Sequence, residues 1–407
     1  MNDQPTVLVL GASHDQFYLI ETAKRMGCYV LAVDMDPAAA SFPHADEKAL
    51  ISTRDIEGLL AFVRAYRTHR PIDAVVTMGS EISMTVAVLA EDLGLQAISR
   101  ETAWLASNKL AMKRRWAEKG IPIPWFNELH SGKHLREIVQ ARGWDLIVKP
   151  TDRSGARGIT KLAEGMDCEA VFERAKASSY EGKVIVEEFL SGEQESTESI
   201  IYDGFFKTAG VSDRNYDMAH QLMGAPVENG GTMPSILSED KLKEIDVLLE
   251  KAARTLGITR GVGKGDVALD AEGKPRMIEM AARLSGGWMS AGLIPVTTGV
   301  NIVQTIIEIS LGWEPDLGKL TEKWHKYAAL RYFFPPPGIL KGIAGDDAVR
   351  AQPWLKVLEF YKRSGDRIEP PASHAERFGA FLVEGGSRLE VLDRARWVYD
   401  HIKTQST

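Results

Sequence analysis

Only two cysteines occur among 407 residues, Cys28 and Cys168. One lies in an apolar strand-like run and the other begins a helical one, so neither a disulfide framework nor a thiolate metal site is indicated. A reducing compartment fits. No uninterrupted apolar run approaches the roughly 20 residues that span a bilayer. The opening Met-Asn-Asp-Gln-Pro-Thr lacks the basic and apolar regions of a secretion signal. The chain therefore reads as cytoplasmic, with no membrane partner. Neither sign of charge dominates, with 49 Lys and Arg against 56 Asp and Glu and a net charge of −7. A pI near 5.8 argues against a nucleic-acid partner. Internal repeats and low-complexity tracts are also missing.

What is present is an ordinary globular composition, 44% hydrophobic and 26% charged. At this length it supports two or three packed domains. Residues 6–10 form a short apolar run ending at Gly11. Helical spacing follows through Phe17, Ile20, Ala23 and Met26, and then a second apolar run at 28–33. This is a βαβ opening. A strand-like run at 73–77 and helical segments at 58–68 and 80–93 continue the alternation, which predicts a parallel α/β sheet.

A basic helical stretch at 109–119 closes at Gly120, and the prolines Pro122 and Pro124 forbid its continuation, marking a hinge. Strand-like runs at 146–149, 184–189 and 197–202, a helix at 238–256 and a hairpin around 270–274 make the middle region α+β. The run Pro335-Pro336-Pro337 after Tyr332-Phe333-Phe334 is a further break. Beyond it, a strand at 380–384 and a helix at 389–402 predict a small β-rich unit with one helix.

Several segments carry chemistry. Residues 266–269 and 276–280 flank Ala271-Glu272-Gly273-Lys274, a four-residue hairpin connection. In that register Val267 pairs with Ile278, and Asp266 sits opposite Glu279. Two facing carboxylates repel unless a cation lies between them, and hard oxygen ligands suit magnesium on nucleotide phosphates. The plainer alternative pairs one of them with Lys264 or Arg283, and these residues alone leave both open. Lys149 ends an apolar strand, and Ser154-Gly155-Ala156-Arg157-Gly158 follows, where small residues let backbone amides approach phosphate oxygens. An ordinary glycine turn is the competing reading. Residues 184–190 end in Glu187-Glu188-Phe189-Leu190, an edge suited to adenine and ribose or, more simply, a strand leaving the core. Gly11-Ala12-Ser13-His14-Asp15-Gln16, with Asp34 ending the next strand, lacks the later glycines of a dinucleotide fingerprint, so NAD binding is the weaker reading.

In this order, the segments resemble the ATP-grasp superfamily over essentially the whole chain. The resemblance implies an N-terminal parallel α/β pre-ATP-grasp domain (1–112) and a central two-lobed ATP-grasp domain (113–312). It places the flap lobe at 123–183, the metal-hairpin lobe at 184–312 and a small β-rich C-terminal domain at 313–407. It makes Lys109 and Lys149 the nucleotide lysines and Ser154, Gly155, Arg157 and Gly158 the phosphate flap. Glu187, Glu188, Phe189 and Leu190 become the adenine hinge, with Gln194 and Glu195 at the ribose. Asp266 and Glu279 fall at the magnesium positions, where manganese is the substitute ion, and Arg283 falls at the active-site arginine.

The segment Glu279-Met280-Ala281-Ala282-Arg283-Leu284-Ser285-Gly286-Gly287 is most similar to L-amino-acid ligases and related carboxylate–amine ligases. The last segment is similar to the C-terminal domain of biotin carboxylase. Two positions depart from the common pattern: Ala281 stands where most members have asparagine, and Gln194 where they have the ribose glutamate. The implied function is ATP-dependent ligation of a small-molecule carboxylate to an amine through an acyl phosphate, with Lys149 and Arg283 catalytic. Glu228, Arg283, Gly286, Gly287 and Trp288 are the substrate candidates, and a homodimer is the family's habit. The alternatives are an ATP-grasp carboxylase or purine-type ligase, a silent nucleotide sensor, and an NAD-dependent oxidoreductase.

Overall fold

A computed structural model describes residues 4–218 and 226–407. The N-terminal sheet is four-stranded and wholly parallel, in the order Glu47–Leu50, Tyr29–Asp34, Thr6–Leu10, Ala74–Val76. Its central strands are buried on both faces, as their unbroken apolar runs require. The hinge helix Lys109–Glu118 is capped by the Asn108 side chain. Past it, a four-stranded antiparallel sheet carries Lys149 on the strand Leu146–Pro150, beside Val184–Glu188.

An eight-stranded antiparallel sheet supplies the rest. It begins at the hairpin Arg260–Leu269 and Pro275–Ala281 and runs through Gln194–Tyr202, Phe205–Asn215 and Gly230–Met233. It then continues into Tyr327–Tyr332, Gly379–Gly385 and Leu355–Phe360. One sheet therefore crosses residue 313, and the C-terminal strands extend the sheet that bears the Asp266–Glu279 hairpin. The break expected at the prolines is present: the strand ending at Tyr332 gives way to Gly338–Ala344 in a separate three-stranded sheet.

Helix Glu239–Thr255 buries Ile245, Leu248, Leu249, Ala252 and Ala253, a stripe of three- and four-residue spacing, against Val267, Met277 and Met280. Trp116 of the hinge helix is fully buried in the same cluster, and its indole N–H donates to the Ala252 carbonyl at 3.1 Å. The hinge helix is thus locked to the back of the hairpin. Among the described residues no helix is long and apolar enough to cross a membrane.

Gly230 begins the strand that links the two halves of the large sheet, at φ 132°. A Cβ there would stand 2.0 Å from the Leu330 carbonyl oxygen on the neighbouring strand. Gly273, in the hairpin turn, also has a positive φ but open space around it. Urea denaturation should therefore show a loss of about 1 kcal/mol for Gly273→Ala and about 3 kcal/mol or more for Gly230→Ala. Equal losses would mean that φ alone, and not the close strand approach, requires glycine at 230.

Candidate functional site

A cavity of about 1260 Å³ lies where these parts meet. Asp266 and Glu279 are direct cross-strand partners and both line it. The neighbouring register differs from expectation. A bulge after Asp266 pairs Val267 with Met277 rather than Ile278, and the connecting turn runs from Asp270 to Lys274. The extra residue sharpens the local twist next to the carboxylates, as bulges near sites often do.

Each carboxylate has cations in place. Asp266 takes Lys264 and, at 3.1 Å, Arg214. Glu279 takes Lys109 at 3.1 Å. Burial alone would raise the Glu279 carboxyl, but Lys109, Lys264 and Lys149 overcome it and hold Glu279 well below the usual carboxylate range. Lys109 does not line the cavity. It reaches Glu279 from beneath and donates to the Arg153 carbonyl at 2.7 Å.

Lys149 lines the cavity and is held at 2.9 Å by Glu187, which is almost wholly buried. Glu187 also meets Lys113 at 3.4 Å. Burial would raise the Glu187 carboxyl, but Lys113 and Lys149 outweigh it and keep Glu187 below its ordinary range. Burial lowers the Lys113 amine to about 8 against the pull of Glu187, with Lys149 adding to the depression. The sequence reading missed Lys113, although it follows Lys109 by four positions and so shares its helix face.

Ser154, Gly155, Ala156 and Arg157 form one wall, and Glu188, Phe189, Leu190 and Gln194 another. The Lys161 ammonium sits 3.8 Å from the Phe189 ring centroid. Gly158 is absent from the wall and packs against Ser178 and Pro150.

Glu195 also leaves the predicted set. Strand alternation turns Gln194 and Ser196 to the cavity and puts the fully buried Glu195 on the opposite face, near Asp213. Trp288 is a third correction. Its chain turns through φ 68°, and its indole packs on the apolar core beside Glu359 and Tyr361 rather than lining the cavity.

Arg283 is not paired with Glu279 but with Glu81 of the N-terminal region, and its side chain is largely buried. Gly286 and Gly287 do line the cavity and let that region approach. A Cβ on Gly286 would stand 2.8 Å from an Asp15 oxygen, and the Gly287 amide donates to Asp15 at 2.8 Å. Glu228 lines the cavity and is held by Arg214 at 2.5 Å and Arg377 at 3.4 Å. Burial opposes ionisation there, but Arg214 and Arg377 prevail and keep its carboxyl well below the usual range.

Tyr332, Tyr361, His374 and Arg377 complete this end. Sequence reading gave no signal for them. The N-terminal loop brings Ser13, His14 and Asp15 to the same end, while Asp34 is spent on the Ala12 and Asp36 amides at 2.9 and 3.0 Å. That loop is built for its own closure and not for a dinucleotide ribose.

Three family models match the chain in succession. An ATP-grasp N-terminal domain covers residues 20–95, the carbamoyl-phosphate synthase L chain ATP-binding domain covers 109–317, and L-amino acid ligase C-terminal domain 2 covers 331–405. The chain belongs to the ATP-grasp superfamily. Among curated relatives, a D-alanine–D-alanine ligase of Bordetella avium is 31% identical over 198 residues, 47% of this chain and 60% of that protein. The alanine–anticapsin ligase of Bacillus subtilis is 28% identical over 292 residues, 65% of this chain and 60% of its own length. The match thus spans about 60% of these two relatives. The L-amino acid ligase structure from Bacillus licheniformis aligns over 100% of both chains with a TM-score of 0.84 at 19% identity, which establishes a common fold.

The displaced Glu195 makes a pH-dependent prediction. Burial, reinforced by Asp213, pushes its carboxyl up to about 9, so the folded state binds a proton that the unfolded chain has released above about 4.5. Stability contributed at this site is complete below about 4.5 and declines as pH rises towards 9. Glu195→Gln should match wild type in urea denaturation at about pH 4 and exceed it at about pH 7 by on the order of 2–3 kcal/mol. A pH-independent difference would refute this assignment.

Proposed function

We propose that this ATP-grasp protein is an ADP-forming carbon–nitrogen ligase that activates a carboxylate as an acyl phosphate and joins it to an amine, with amino acids as substrates. The observation that carries the proposal is the cross-strand pair Asp266 and Glu279, facing one cavity with Lys149 and the glycine flap at one end and Arg283 with Gly286-Gly287 at the other. That cavity is large enough for a nucleotide and a second ligand together. The activities for which the two curated relatives are named, D-alanine–D-alanine and alanine–anticapsin ligation, support the same class.

Two facing carboxylates, Asp266 buried and Glu279 half-buried, fit a magnesium ion whose other ligands would be phosphate oxygens and water, and manganese would satisfy the same oxygen set. Asp266 and Glu279, facing each other on the cavity wall, would be the protein's share of its ligands. Bound there, the metal would neutralise phosphate charge and orient the transferred group.

Lys149, fixed by Glu187, supplies a compact charge to the phosphates, as Lys109 does from below. The edge at Glu188, Phe189 and Leu190 receives the adenine, and Gln194 the ribose. The substrate carboxylate oxygen attacks the terminal phosphorus of ATP, releasing ADP. The amine then attacks the acyl carbon and expels phosphate. Arg283 holds the carboxylate and the oxyanion by its planar fork. The flap residues Ser154 to Arg157 close over the anhydride and shield it from water.

The division into 1–112, 113–312 and 313–407 serves this reading: the first and third parts wall the substrate end, and the middle part holds the nucleotide. Phosphate release from MgATP, measured with carboxylates and amino acids singly and in pairs, tests the proposal. Release should require a pair and fall at least about 100-fold in Glu279→Gln. Release driven by bicarbonate or by a sugar phosphate amine would place the chain with the carboxylases or purine-type ligases. ATP binding without release for any pair would make it a sensor.

A further inference from the structure

The phosphate flap does not hang free over the cavity. The carbonyl of Gly155 accepts a hydrogen bond from the backbone N–H of His374 at 2.9 Å, and Ala156 packs with Val227 and Phe334. His374 belongs to the C-terminal region, at the first position of the short helical turn His374–Glu376. The loop that carries it is braced on both sides. Glu376 accepts from the Ala372 amide at 2.8 Å and from the Ser373 hydroxyl at 3.0 Å. Arg377 donates to the Glu228 carbonyl at 2.8 Å and stacks 3.7 Å from the Tyr332 ring centroid.

The ring of His374 lines the cavity, and its Nε2 is buried without a hydrogen-bond partner among the described residues. The nearby acceptors are already engaged. Glu228 is held by two arginines and Asp266 by Lys264 and Arg214, while Asp15 takes the Gly287 amide. The Ser285 hydroxyl, buried and also without a bond in range, lies against Glu198. His374 is left with an unpartnered, uncharged acceptor at the substrate end.

Building on the ligase reading, we propose that His374 is a positioning residue that joins flap closure to amine binding: its backbone N–H holds Gly155, and its imidazole Nε2 accepts a hydrogen bond from the incoming amine. An amine must present its lone pair to the acyl carbon, so it has to be held while neutral. A carboxylate favours the ammonium form, whereas a neutral imidazole protonated on Nδ1 accepts from the free amine. Burial lowers the His374 imidazole well below its usual range, with Arg377, Arg214 and Lys264 adding to the effect against Glu228, which keeps it neutral. A flap closed on this residue also shuts out water when the amine is in place. With the ring gone, water attacks the acyl phosphate instead, giving back the carboxylate and free phosphate.

Two variants separate the backbone from the ring. His374→Ala keeps the N–H and removes the imidazole. His374→Pro removes both, at a first helical position that tolerates proline and follows Ser373 in an extended conformation. Limited trypsin digestion of the free protein should cut after Arg153 and Arg157 several-fold faster in His374→Pro than in wild type, with His374→Ala unchanged. In steady-state assays with the active substrate pair, His374→Ala should raise the KM for the amine about tenfold. The KM for ATP should stay within about twofold, and phosphate released should exceed amide formed. Equal tryptic rates in all three proteins, or an amine KM that does not move, overturns the proposal. Failure of wild type to turn over any pair overturns the ligase reading and the role of the ring with it, and the tryptic rates then decide the backbone contact alone.

Discussion

Two carboxylates forced to face each other on the wall of a cavity set the terms for the rest of this molecule. Asp266 and Glu279 are fixed by backbone pairing, so they cannot move apart without breaking the hairpin. The buried Asp266 would carry a desolvation penalty of several kcal/mol if left alone, and the half-buried Glu279 a smaller one. The fold answers by bringing cations from separate elements: Lys109 from the hinge helix, Arg214 from the sheet, and Lys264 from the hairpin itself. Glu187 repeats the arrangement one layer away, shared by Lys113 and Lys149. Because Lys109 and Lys113 stand on one helix, and Trp116 anchors that helix behind the hairpin, the charge layers and the apolar core fix one another.

The same constraint explains why the cavity forms between regions and not within one. The hairpin supplies anions, but the residues that complete the substrate end come from far along the chain. Glu81 meets Arg283 across 202 positions, and Arg377 meets Glu228 across 149. Glycines 286 and 287 allow the N-terminal loop to touch the hairpin's continuation, and the unbroken sheet through Tyr332 and Phe381 carries the C-terminal loop over the opposite rim. The rim that faces the flap is therefore as much a product of the C-terminal region as of the middle one.

What could be read from the sequence was what depends on neighbours in sequence. The parallel opening, the hinge prolines, the lysine ending a strand and the opposition of Asp266 to Glu279 follow from period, turn chemistry and short-range register. The bulge after Asp266 does not, because nothing in the local pattern says which residue is extra. Glu195 could have been excluded by strand alternation, since it cannot share the face of Gln194. Trp288 could not, because its direction is set by two successive left-handed residues and by a core assembled from separate regions. His374 and Arg377 carry no local signature either; they acquire meaning from what the sheet brings opposite them.

The pairing of charges also bears on how a magnesium nucleotide would enter the proposed ligase. Lys109, Lys264 and Arg214 now occupy the carboxylates that a divalent ion would claim. Exchange of these protein cations for a metal would leave Asp266 and Glu279 neutralised and would free the lysines for phosphate oxygens. The charge would then stay nearly balanced before and after binding, which would keep the desolvation cost of filling the site low. Lys149 does not take part in that exchange, because Glu187 holds it at 2.9 Å and has a second lysine of its own. One lysine is thus positioned in advance while the others would change partners, and the distinction follows from which carboxylate each lysine holds.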